Sequence, residues 1–234
     1  MLKHHLKSLA APKSWPIKRK ENVFVIKPSP GAQKLENSMP IGLILKLLSQ
    51  VSTTREAKQV INQKKVLVNK RPVRDIKLPA GLFDVIEFTD KYFRVLLNRR
   101  GKLIFKEISK TESNTFLHKI IGKTRLKGNK LQLNFHNGFN LQVKDDDYNI
   151  NDVLLIENNQ IKDKISFEKG SIVYITKGKN LGGIAKIEEV YERPPFNKHV
   201  LVSIGDKKIN LPKDYVFLVG KTKPIISLSE KPEK

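Results

Sequence analysis

The chain has 234 residues, 45 of them Lys or Arg against 23 Asp or Glu, for a net charge of +22 and a pI near 10.0. A chain this basic repels itself, so its working state is expected to include a polyanion, with nucleic acid first and an anionic membrane surface second. The absence of cysteine excludes disulfide frameworks and cysteine-type zinc sites, and the longest apolar stretch, Ile41 to Leu48, is broken by Lys46 and falls far short of the roughly 18 residues of a membrane span.

Charge is uneven along the chain. Residues 1–40 carry 8 bases and 2 acids, 41–105 carry 14 and 5, 106–168 carry 10 and 9, and 169–234 carry 13 and 7. Three basic zones therefore flank a nearly neutral one, a contrast that points to partner binding rather than to a uniformly lysine-rich composition. The opening MLKHHLKSLAAP lacks the apolar core of a secretory signal.

Residues 1–40 hold five of the twelve prolines and no sustained period, and read as a basic extension with at most a short strand at Asn22 to Ile26. Partial disorder is expected there in the free protein. The only tryptophan, Trp15, stands between Pro12 and Pro16 among Lys13, Lys18, Arg19 and Lys20. It either stacks on an unpaired base, worth ~1–3 kcal/mol, or anchors the extension to the folded body. The anchor is preferred, because it would hold the surrounding bases outward for phosphates.

In the zone 41–105, Ile41, Ile44, Leu45 and Leu48 form one apolar helical stripe, with Ser38 and Pro40 as start signals. Thr53-Thr54-Arg55-Glu56 spells a capping box before a second helix, whose Ala57, Val60 and Ile61 face inward. Arg55 and Lys58 lie on the opposite face. KVLVNKRPVRD then reads as strand, tight turn and strand, bringing Lys64, Lys65, Lys70, Arg71 and Arg74 near that face. Seven bases against Glu56 and Asp75 alone favour phosphate binding over a merely solvated surface. Residues 82–105 read as strands with Arg99 and Arg100 at a hairpin tip, where turn polarity and groove contact are equally consistent with the sequence.

The neutral zone 106–168 reads as a β scaffold. In LQLNFHNGFNLQV a three-residue loop, His136-Asn137-Gly138, pairs Leu131 with Val143, Leu133 with Leu141 and Phe135 with Phe139. A two-residue Asn-Gly turn would mix faces. From residue 169, five short strands in about 50 residues around a glycine-rich loop predict a small barrel. The tail after Lys221 reads as loose.

Catalytic patterns are missing. Histidines 4, 5, 118, 136 and 199 are scattered, and Asp145-Asp146-Asp147 reads as an acidic turn, not a metal loop. Gly178-Lys179-Asn180-Leu181-Gly182-Gly183 joins strands and matches neither phosphate-loop pattern. No cofactor, no metal and no small-molecule substrate are expected.

SLAAPKSWPIKRK followed by KPSPGAQKLENSMP resembles the opening of the archaeal–eukaryotic type of the small-subunit ribosomal protein four family. TREAKQVINQKKVLVNKRPVRDIKLPAGLFDVI is similar to that family's helical RNA-binding module, and KYFRVLLNRRGKL and LQLNFHNG echo its later segments. KGSIVYITKGKNLGG looks like a KOW barrel, and KDYVFLVG resembles the closing strand. The match runs in order from about Leu6 to Gly220.

The resemblance implies an α+β, multidomain and mostly β chain. Its parts would be an N-terminal extension (1–40), a small helical RNA-binding module with short strands (41–105), a central β domain (106–168), a C-terminal SH3-like KOW barrel (169–220) and a flexible tail (221–234). It implies a non-enzymatic constituent of the cytoplasmic small ribosomal subunit, with small-subunit rRNA and neighbouring ribosomal proteins as partners. Lys177, Lys179 and Lys186 would be the barrel's RNA contacts. One position departs from the pattern: Ala185 stands where a glycine is usual, and a positive φ there would cost roughly 1 kcal/mol or more. The same helical module accompanies pseudouridine synthases and a tRNA synthetase, and the KOW barrel occurs in transcription factors. An RNA-modifying enzyme and a polymerase-associated factor are therefore the alternatives.

Overall fold

A computed structural model describes residues 5–31, 33–128, 130–144, 146–157, 160–191, 198–205 and 207–228. His4, Asp145 and the tail beyond residue 228 lie outside the described residues. Among the described residues the protein is mostly β, with two α-helices and several antiparallel sheets. It divides into two compact units, Met1–Asn114 and Thr115–Lys234.

In the first unit the helices are α1, Ile41–Leu47, and α2, Thr54–Asn62. Most of the predicted stripe closes: Ile41, Ile44 and Leu45 of α1 and Ala57 and Ile61 of α2 are buried, while Leu48, just past the end of α1, and Val60 are half-buried. The capping box is formed, with the Glu56 amide donating to Thr53 Oγ1 at 3.1 Å and the Thr53 amide donating back to Glu56 Oε2 at 3.5 Å, joined there by the Ser52 amide at 2.8 Å. Ser38 is not the cap of α1. It belongs to the strand Ser38–Pro40, which pairs with Pro79–Gly81, and the first amides of α1, Ile41 and Gly42, donate to the carbonyls of Leu78 and Ile76. The chain comes so close there that a Cβ on Gly42 would stand 2.0 Å from the Ile76 side chain.

A five-stranded sheet follows, in the order Arg71–Pro72, Val66–Val68, Val85–Phe88, Lys91–Leu97 and Leu103–Glu107. The extension is part of this unit rather than a loose arm. Leu6–Lys7 pairs with Phe24–Val25, and Trp15 is 1% exposed with its indole N–H on the Ser38 carbonyl at 2.7 Å. The Leu103 amide also donates to the Ser14 carbonyl at 2.7 Å.

The second unit holds two five-stranded antiparallel sheets. One runs Asn140–Val143, Lys130–Phe135, Phe116–Leu126, Val153–Glu157, Gln160–Ile165, and the other Lys207–Pro212, His199–Ile204, Ile184–Val190, Ile172–Ile175, Val216–Gly220. Leu131 faces Val143 and Leu133 faces Leu141, the Phe135 amide donates to the Phe139 carbonyl, and Gly138 has φ +73°. The three-residue loop is thus the one formed, and it sends Leu131, Leu133 and Phe135 into one core with Ile120, Leu154 and Ile156. Ala185 lies in an extended strand opposite Val173 and not at a positive φ, so alanine is unstrained there.

Candidate nucleic-acid interface

The face of α2 opposite Ala57 and Ile61 presents Arg55 and Lys58, both exposed. Gln63 closes the helix and Lys64 then turns left-handed, φ +57°, with its amide donating to the Ile61 carbonyl at 2.8 Å. The Lys65 carbonyl accepts from the Thr89 amide, which ties the turn to the sheet. Lys64 and Lys65 are therefore fixed in backbone while their side chains stay in solvent. Arg71 and Arg74, on and after the short edge strand, are exposed too.

The tight turn between Val66–Val68 and Arg71–Pro72 has positive φ at both central residues, Asn69 (+49°) and Lys70 (+63°), as a two-residue hairpin requires. Asn69 holds it from below: its Nδ2 donates to Asp84 Oδ1 at 2.7 Å and its Oδ1 accepts the Val85 amide at 2.8 Å. Asp84 also accepts the Gly81 amide at 2.7 Å. Burial pushes the Asp84 carboxyl up to about 6, although the hydrogen bonds from Asn69, Gly81 and Gln33 oppose the rise.

Two expected phosphate contacts are engaged by the protein itself. Lys70 Nζ pairs with the buried Glu87 carboxylate at 2.7 Å and lies 5.6 Å from the Tyr92 ring centroid. Arg19 donates to the carbonyls of Ala11 and Pro12, both at 2.7 Å, and so braces the extension. By contrast, among the described residues no acidic side chain forms an ion pair with Arg55, Lys58, Lys64, Lys65 or Arg74. In the extension Lys13 and Lys20 are exposed, and Lys18 is exposed but paired with Glu21 at 2.7 Å.

Arg99 and Arg100 stand exposed at the predicted hairpin tip, where Asn98 Oδ1 accepts the amides of Arg100 and Lys102. In the second unit Lys177, Lys179 and Lys186 are exposed, and Lys177 Nζ lies 5.9 Å from the Tyr215 ring centroid. Trp15 has no face open to a base. Its burial makes it an anchor.

Sequence reasoning overlooked the buried charges that hold these surfaces. Arg94, 1% exposed, pairs with Glu112 at 2.6 Å, and burial lowers the pKa of its guanidinium. Lys119 donates to the carbonyls of Val216 at 2.9 Å and Lys213 at 3.2 Å, and burial pulls its ammonium down to about 8. A single charge inside a run such as YFRVLL or LHKII was the available signal, because it must find a partner when the strand is buried.

Family models match three successive stretches: the RS4NT (NUC023) domain at residues 2–36, the S4 domain at 43–86 and Ribosomal family S4e at 89–165. Among curated proteins the chain is 41% identical over 230 residues to small ribosomal subunit protein eS4 of Methanosphaera stadtmanae, covering 96% of this chain and 95% of that one. It is 40% identical to eS4 of Methanocaldococcus jannaschii, covering 97% and 98%. The crystal structure of 30S ribosomal protein S4e from Thermoplasma acidophilum superposes with a TM-score of 0.66 at 27% identity, covering 80% of this chain and 95% of that one. With ordered matches along nearly its whole length, the chain belongs to the ribosomal S4e family.

Proposed function

We propose that the protein is a structural, non-catalytic constituent of the cytoplasmic small ribosomal subunit that binds and stabilises small-subunit rRNA. The observation that carries this reading is the unneutralised basic face of α2 and its following turn, Arg55, Lys58, Lys64 and Lys65, in a chain whose relatives are small-subunit proteins. Lysines and arginines on phosphates release condensed counterions, so binding is strong and falls steeply with salt. RNA in A-form closes its deep groove to side chains, so recognition rests on shape, phosphates and 2′-hydroxyls.

Arg71, Arg74, Arg99 and Arg100 extend the same contact, and Lys13 and Lys20 act from the extension. Lys177, Lys179 and Lys186 serve from the C-terminal sheet. Its strand order, with Val216–Gly220 beside Ile172–Ile175 and three further strands in succession, supports an SH3-like KOW barrel over 169–220. Residues 41–105 act as the helical RNA-binding module and 106–168 as the scaffold. Neighbouring ribosomal proteins complete the surroundings.

The test is sedimentation of the endogenous protein in a sucrose gradient after a moderate high-salt wash. Near-stoichiometric travel with the small subunit is expected. Release to the top of the gradient, co-migration with RNA polymerase, or nucleotide modification on adding RNA would each replace this reading.

A further inference from the structure

Burial of Trp15 leaves the extension without its obvious base-stacking ring, and a different aromatic is presented instead. Among the described residues Phe24 is the one Phe, Tyr or Trp side chain that stands exposed, at 54%. It lies in the strand Phe24–Val25, directly opposite Lys7 of Leu6–Lys7. Opposed residues of an antiparallel pair point to the same side of the ribbon. The burial alternates accordingly: Lys7 and Phe24 are exposed, Leu6 and Val25 are half-buried. His5, two residues before Lys7, falls on that side as well, its ring 5.2 Å from that of Phe24 at 84°.

From these contacts we propose that His5, Lys7 and Phe24 form a binding site for an unpaired nucleotide of RNA, Phe24 stacking on the base and Lys7 holding its phosphate. The site rests on the RNA-binding reading above and adds to it a single-strand element that the α2 face lacks. Leu9 (72% exposed) and Val23 (68%) are further exposed apolar side chains of the extension. An apolar patch alone would suit a protein partner. Here the charge decides: residues 5–25 carry Lys7, Lys13, Lys18, Arg19 and Lys20 against Glu21 alone, and Glu21 is already paired with Lys18.

The ribbon is also fixed before any ligand arrives. The Ser8 amide donates to the Val23 carbonyl at 2.9 Å, and the Ser8 hydroxyl donates to the carbonyl of Asn22. Arg19 braces the intervening loop, and Trp15 fastens it to Ser38. A ring held in place loses little freedom on stacking, which favours affinity.

The experiment compares the full chain with its Phe24→Ala, Phe24→Tyr and Lys7→Gln variants, on a short single-stranded oligouridylate and on a short RNA duplex. Phe24→Ala is expected to weaken single-strand binding roughly five- to 100-fold and to leave duplex binding within about twofold, with Phe24→Tyr restoring the difference. Lys7→Gln should lower the slope of log K against log salt on the single strand by about 0.7. Iodouridine in the oligonucleotide should photocrosslink to the peptide containing Phe24. Because Phe24 is exposed, unchanged thermal unfolding of the variants serves as the folding control. Normal single-strand binding by Phe24→Ala, or crosslinks only to other peptides, overturns this site while leaving the RNA-binding role intact. If Phe24→Ala binds both RNAs normally yet no longer travels with the subunit, the patch docks a protein and the site is likewise overturned. Binding to neither RNA by the unmodified chain overturns the parent reading itself.

Discussion

Trp15 combines an almost fully buried ring with an indole N–H on the Ser38 carbonyl, and the two contributions separate by substitution. Trp15→Ala should cost ~3–5 kcal/mol of the first unit's stability, the transfer and cavity terms together. Trp15→Phe keeps most of the apolar area but leaves the Ser38 carbonyl without this donor, at ~1–3 kcal/mol. Urea titrations measure both, and a loss below about 1 kcal/mol for Trp15→Ala would refute the anchor. Asp84 makes a second residue-scale prediction. Its native pKa of about 6 lies above its ordinary 3.8, so between those values the native state holds more proton than the unfolded chain, and stability falls as pH rises from about 4 to about 6. Asp84→Asn cannot titrate. Whatever fixed offset its amide introduces, its stability relative to wild type should rise by roughly 2–3 kcal/mol from pH 4 to pH 7.

At the scale of elements, local chemistry written in neighbouring residues was legible. Thr53 and Glu56 announced the start of α2, and the alternation of Leu131, Leu133 and Phe135 decided the hairpin register, because a slip by one residue would turn the whole apolar face outward. Thr53→Ala should therefore cost about 1 kcal/mol, and Gly138→Ala, at φ +73°, a similar amount, both read by thermal or urea unfolding. A Gly138→Ala protein as stable as wild type would mean that the loop shifts register.

What the sequence could not show were contacts between segments far apart. Ser38 looked like a cap because capping residues are local signals, but α1 takes its first partners from the carbonyls of Ile76 and Leu78, some 35 residues on. Lys70 and Arg19 counted as available charges until Glu87 and the carbonyls of Ala11 and Pro12 were brought beside them. The basic face of α2 was readable for the opposite reason, since the i, i+3 spacing of Arg55 and Lys58 on one helix fixes that they share a side.

Across the whole molecule, charge is concentrated rather than diffuse. The first unit carries 24 bases against 9 acids and the second 21 against 14, so an interface on the first unit predicts more than attraction by net charge. Changing Arg55, Lys58, Lys64 and Lys65 together to Gln removes four positive charges from exposed positions that, among the described residues, form no ion pair with an acid. On folded rRNA fragments each lost phosphate contact should reduce the slope of log K against log salt by about 0.9, roughly 3.6 for all four. The comparison is a second quadruple variant, Lys127, Lys130, Lys169 and Lys207 to Gln, all exposed on the second unit. It carries the same net charge and should change the slope by less than about 1. Because the two variants differ only in where the charge was removed, fluorescence anisotropy titrations over a range of salt distinguish a built phosphate surface from a polyelectrolyte effect. Equal slopes for the two would show that the protein holds RNA by total charge, and the α2 face would lose its assignment.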